Sequence, residues 1–196
     1  MNTRFRYLLA FMVFFQLLTS CKKGENDPFI SLRTRKDRVT GDWRLTSGSA
    51  TLKVIQYKDP FIFLFSSSWV KLLLPQIKGN PVVDTEMYDF SLHIRKNGRF
   101  FLMENLAGTV FEAEGSWNFN TGTGADKKKE CLHFMIDTVI AGGTGGPHHF
   151  NRFSPGFTYT IKELRNKKLV LRSTGIVYAE PSGKTENLTC EYVLEQ

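Results

Sequence analysis

From Gly41 almost to Gln196, apolar and polar residues alternate with a period of two. Met87 to Arg95 is the clearest case, with Tyr88, Phe90, Leu92 and Ile94 on one side and Asp89, Ser91, His93 and Arg95 on the other. Asn97-Gly98 follows, the strongest short hairpin signal, and Arg99 to Met103 runs back. Val110 to Phe119 repeats the pattern, setting Phe111, Ala113, Gly115, Trp117 and Phe119 against Glu112, Glu114, Ser116 and Asn118. Further strands are predicted over Asp42–Thr46, Thr51–Tyr57, Cys131–Asp137, Phe157–Leu164, Lys168–Ser173 and Leu188–Leu194, with Arg165-Asn166-Lys167 as a tight connection. Successive side chains of a strand point to opposite faces, so each segment has one apolar and one polar face. Strands of this kind joined by short turns predict an all-β fold, a sandwich or an antiparallel up-and-down β-barrel.

Ahead of the strands the period is helical. Asp27 and Pro28 fit an N-cap and first helical residue, Phe29, Leu32, Lys36 and Val39 fall on one side, and Gly41 suits the residue after a helix. This predicts a short N-terminal helix, Pro28 to Val39, carrying Arg33, Arg35, Lys36 and Arg38. That basic run is either a solvated face or a contact with anionic headgroups, worth about 1 kcal/mol per residue near a membrane. Two stretches interrupt the meander. Asp59 to Asp84 holds Phe61, Phe63, Phe65 and Trp69 and is expected to be a lid or contact patch, or else another strand or two of the sheet. Ala141 to Gly156 is Gly-rich and offers His148, His149, Phe150 and Phe153 as contacts. Connections in compact domains usually take about 4–6 residues, so these two are expected to carry specificity for a ligand or partner.

The first 20 residues have the order of a signal peptide: Arg4 and Arg6, then an apolar run from Tyr7 to Leu18 broken only by Gln16. The run is short of the roughly 20 apolar residues of a membrane span, although an uncut signal anchor is the alternative. Leu18-Thr19-Ser20-Cys21 resembles the bacterial lipobox. The resemblance implies cleavage before Cys21, a diacylglycerol thioether on it and acylation of the new amine with a fatty acid such as palmitate. It also implies a lipoprotein of the cell envelope, at the outer membrane, held by Cys21. Residues 21–27 then form a lipidated tether and residues 28–196 a single domain.

Gly41-Asp42-Trp43, opening the first strand after a short helix, resembles the Gly-x-Trp signature of lipocalins and lipocalin-like lipoproteins. That family has an eight-stranded barrel whose closed end is plugged by the tryptophan and whose open end can hold an apolar ligand. The resemblance implies structural roles for Gly41 and Trp43 at a barrel end, and makes Arg172 the counterpart of the family's arginine over the tryptophan. The Thr-Asp-Tyr of classical lipocalins is missing.

Composition is that of a globular domain, 41% hydrophobic and 23% charged, with 17 phenylalanines as the unusual feature. Without Arg4 and Arg6 the 26 basic residues become 24 against 19 acidic, a net +5. For an exported chain this favours anionic headgroups or surface glycans over nucleic acid. Cys190 shares a face with Leu188, Tyr192 and Leu194, whereas Cys131 points away from Leu132, Phe134 and Ile136, which argues against a bridge between them.

Catalytic and metal chemistry find little to build on. His148-His149 are adjacent, and a metal site needs three or four converging ligands, so no metal or cofactor is expected. Gly142 to Gly146 lacks the Lys-Ser/Thr of a phosphate loop. Glu112 and Glu114 share a strand face, but it is the hydrated one. No nucleophile motif is present, so a non-enzymatic role is expected. Asp137-Thr138-Val139 resembles a short O-glycosylation acceptor, which implies modification at Thr138. Two functions remain: a binding module for a small apolar ligand, or an accessory subunit of an envelope complex whose barrel is filled. The state of the barrel interior separates them.

Overall fold

The computed structural model describes residues 33–54, 59–74, 83–121, 130–141, 156–179 and 185–196. In it a short helix, α1 (Arg35–Val39), precedes ten strands: β1 (Gly41–Val54), β2 (Phe61–Ser66), β3 (Trp69–Leu73), β4 (Val83–Ile94), β5 (Arg99–Leu106), β6 (Thr109–Thr121), β7 (Glu130–Ala141), β8 (Gly156–Leu164), β9 (Lys168–Ala179) and β10 (Thr185–Glu195). Every pairing is antiparallel, and the strands close into one up-and-down barrel through β1 and β10. The Asn97-Gly98 hairpin forms as expected, with the Arg95 N–H donating to the Arg99 carbonyl at 2.8 Å.

Three local expectations are corrected. The helix starts later than Pro28: Thr34 is extended (φ −63°, ψ 158°), and its hydroxyl accepts the Asp37 N–H at 3.1 Å. A threonine whose hydroxyl accepts the backbone N–H three residues on marks the start of a helix. Residues 28–32 lie outside the described set. The two strands expected over Asp42–Thr46 and Thr51–Tyr57 are one, β1, as far as Val54. A bulge between Leu45 and Ser47 shifts the phase, so that the inner series changes from Trp43 and Leu45 to Gly48, Ala50 and Leu52. Such a shift adds one residue and reads as a break in alternation.

The third correction concerns Asp59 to Asp84. Within it β2 and β3 form a hairpin of the barrel wall, the plainer of the two expectations, and not a lid. The hairpin changes the shape of the barrel. Over Gly41–Arg44, β1 pairs directly with β4. Beyond Ser47 it pairs with β2 instead, and β3 takes over the pairing with β4. The ring therefore has eight strands at the α1 end and ten at the other. Barrel diameter grows with strand number, so the wall flares from a narrow end to a wide end.

Candidate functional site

The narrow end is plugged. Trp43 is fully buried, and its indole N–H donates to the Val39 carbonyl at 2.7 Å, tying the last turn of α1 to the barrel floor. Gly41 opens β1 at φ +149°, a conformation that suits glycine, with the Gln196 side chain against it. The buried arginine at this end is Arg38, which donates to the Leu164 carbonyl. Arg172, the sequence candidate for that place, is exposed on β9 and stands opposite Thr160 and Glu191. Ion pairs ring this end. The hydrogen bond from His93 and the charge of Arg95 hold the Asp42 carboxyl below its usual range. Hydrogen bonds from Lys96 and Thr34 lower Asp37 to about 2.

Above the plug the interior is packed with rings. Phe100 meets Phe134 edge-on at 5.1 Å, and Phe134 stacks on Phe157 at 5.2 Å. The space left between Leu92, Leu102, Phe134 and Leu171 is about 10 Å³, enough for roughly one water and far short of the 300–1,000 Å³ of a ligand pocket. Among the described residues the middle of the barrel is filled.

Polar chemistry enters at the next level, toward the wide end. Glu104 is fully buried on the inner face of β5, between Phe90 on β4 and Phe111 on β6. The Tyr88 hydroxyl donates to its Oε1 at 2.8 Å. Phe65 lies 5.0 Å from the Tyr88 ring and 5.6 Å from that of Tyr192, which in turn lies 6.0 Å from Tyr159. The Tyr159 hydroxyl is buried, and among the described residues the Cys190 thiol is its polar neighbour. Burial pushes that thiol up to about 11. Burial, then the Glu104 charge, push Tyr88 well above the ordinary tyrosine range; burial likewise raises Tyr159 and Tyr192, followed for each by the charge of Cys190.

These shifts fix a pH dependence. A tyrosine whose folded pKa is raised keeps its proton where the unfolded chain has lost it. The stability it contributes is therefore full below about pH 10 and falls as pH rises further. In an alkaline titration, tyrosinate absorbance from Tyr88, Tyr159 and Tyr192 is expected to appear only together with loss of β-sheet circular dichroism. Ionisation of all tyrosines near pH 10 with the sheet intact would mean that these hydroxyls reach water.

The structure distributes the residues singled out in the sequence. Phe61 and Phe63 lie on the inner face of β2, partly buried against the core near the wide end. Trp69 is not with them: it begins β3 on the outer face, 40% exposed. Thr138 is exposed on β7, opposite Glu114. Cys131 and Cys190 are both buried and unbridged. Cys21, His148, His149 and Phe150 lie outside the described residues, as does most of Ala141 to Gly156. The strand ends that flank this last stretch, Ala141 and Gly156, belong to the wide-end termini of β7 and β8. Sequence reasoning misses Glu104 because the predicted strand stops at Met103. Its signal is there: an acid in the inner series of Phe100 and Leu102.

Fold and site define a class, an antiparallel barrel plugged at a narrow end and flared at the other, with a buried carboxyl and tyrosines below its mouth. No protein-family model, no curated protein and no solved structure matches the chain.

Proposed function

We propose that this chain is an exported lipoprotein of the cell envelope, attached to the outer membrane through acyl chains on Cys21, whose lipocalin-like barrel holds a small apolar or amphipathic molecule in its wide mouth. The observation that carries the reading is the change from eight to ten strands beyond the Trp43 plug. It widens the wall at the level where Phe61 and Phe63 face inward with Asp84 and Glu86, just beyond the buried Tyr88–Glu104 pair. A carboxyl is expensive to bury, and packing alone gives no reason to place one among phenylalanines. A polar group in an apolar wall is the usual device for orienting a ligand. The role is binding and not catalysis.

Native mass spectrometry of the protein purified from its own host tests the proposal, with Glu104→Gln beside it. A retained small molecule, depleted in the variant, is the expected result. A parent protein that carries no small molecule and takes up none from a lipid extract of the host would overturn it. The second reading, an accessory subunit of an envelope complex, draws on the filled middle of the barrel; it gains if the same experiment finds a co-purified protein instead. Palmitate labelling that persists in Cys21→Ala would remove the lipid anchor from either reading.

A further inference from the structure

The outer surface is divided along the barrel axis. Charged pairs gather at the narrow end: Lys96 with Asp37, Arg95 with Asp42, and Arg165 and Lys168 with Glu163. Large exposed apolar side chains stand further along the barrel, and Leu64, Trp69, Val83 and Met87 share one outer face of β2, β3 and β4 with the half-buried Ile62 and Leu73. In register, Ile62 faces Leu73 and Leu73 faces Val83; Trp69 faces Met87; Leu64 lies between these rows, opposite Lys71. Side chains directly opposite on an antiparallel pair have Cβ atoms about 5 Å apart, so each row is in contact from strand to strand, and Lys71 and Thr85 stand between the two apolar rows. Met87 is 71% exposed, Val83 50% and Trp69 40%. The nearby acids Asp84 and Glu86 alternate to the other face of β4. A face with this much exposed apolar surface, crossed by one lysine and one threonine, marks a contact surface.

We propose that this face of the β2–β3 hairpin and β4 rests in the headgroup region of an anionic bilayer. The inference rests on the membrane attachment proposed above. Three observations select a lipid surface as the occupant. Lys71 Nζ lies 5.8 Å from the centre of the Trp69 ring, which puts an ammonium beside an indole. That pair suits the interface, where tryptophan sits at headgroup level and lysine reaches the phosphates. The chain without its leader carries a net positive charge, complementary to anionic lipid. From Cys21 to Arg33, the first described residue, the chain spans at most about 40 Å, whatever its course. A tilted strand of the length of β1 rises about 35 Å, so the tether holds the whole barrel within reach of the membrane that anchors it.

The test uses the mature chain from residue 21 with Cys21→Ser, produced without residues 1–20 so that neither an acyl chain nor the apolar leader contributes, floated with phosphatidylethanolamine–phosphatidylglycerol vesicles. Flotation is expected for this chain, and Val83→Glu/Met87→Glu should weaken it about tenfold or more, because interfacial binding scales with buried apolar area. Spin labels on Met87→Cys and Lys96→Cys give a second readout that does not depend on the charge change. In the vesicle-bound protein the label at 87 should be shielded from a water-soluble paramagnetic reagent and accessible to oxygen, and the label at 96 should not. Absence of flotation, equal flotation of parent and double variant, or equal water exposure of both labels would each overturn the proposal. Immobilisation of the label at 87 by a co-purified protein, without oxygen accessibility, would overturn it in favour of a protein partner. The mass of Cys21 in the unmutated chain reports on the anchor separately, so loss of the anchor reading and loss of this one are distinguishable.

Discussion

Trp43→Ala is expected to lower the stability of the domain by about 3–5 kcal/mol, the range for truncating a core aromatic, with an unchanged denaturant slope. The indole is fully buried where the barrel has its fewest strands. Nothing there can collapse into the space, because the β1–β4 and β1–β10 ladders hold the wall at fixed spacing. The variant also leaves the Val39 carbonyl without the donor it now has at 2.7 Å, which loosens α1 from the floor. Trp43→Phe separates the two effects: it keeps most of the apolar volume and loses the N–H, for about 1 kcal/mol. Denaturant midpoints of the three proteins decide the matter. An alanine variant within about 0.5 kcal/mol of the parent would behave as a surface substitution and would remove Trp43 from its role as plug.

Gly115→Val is expected to cost more than about 3 kcal/mol, at or beyond the upper end of overpacking, or to yield no folded protein. A Cβ at this position would lie 1.9 Å from the Met135 carbonyl oxygen and 2.8 Å from Cε1 of Phe100. The first clash is with backbone. It falls where β7 bulges against β6, between the Glu114–Thr138 and Gly115–Ile136 pairs, so relieving it means moving a strand. The second pushes Phe100 off Phe134 and disturbs the ring packing in the middle of the barrel. Gly115→Ala, the smaller insult, keeps the test readable if the valine protein does not fold, and should already be clearly destabilised. Ser116→Ala, one residue on and exposed, is the control and should stay within about 0.5 kcal/mol of the parent in thermal or chemical unfolding. A stable Gly115→Val protein would mean that the bulge relaxes freely.

Much of the candidate site is legible in the alternation alone. Tyr88 and Phe90 belong to a clean alternating series, as does Phe111, and Cys190 shares a face with Tyr192; the barrel turns those faces inward. Glu104 is not legible as a site residue, although its position in the series is. An acid at an inner position looks like the end of a strand until the neighbouring strands are seen to run past it and cover it. Only composition groups Trp69 with Phe61 and Phe63. The pairing separates them, because β3 begins after a turn and sets Trp69 opposite the outward Met87.

The chain by itself determined the strand-rich architecture, the Asn97-Gly98 turn and the inner and outer faces of β4 and β6, because alternation is a property of one strand and needs no partner to be read. It did not determine that β2 and β3 belong to the wall, since Phe61 to Phe65 is apolar on both faces and period two vanishes from it. Nor did it show β1 as one strand, because a bulge moves the phase without leaving a mark in composition. The flare from eight strands to ten, the burial of Glu104 and the exposure of Trp69 depend on which strand lies beside which. Strand pairing joins residues far apart in the chain through backbone groups that every sequence shares, and only the closed barrel decided it.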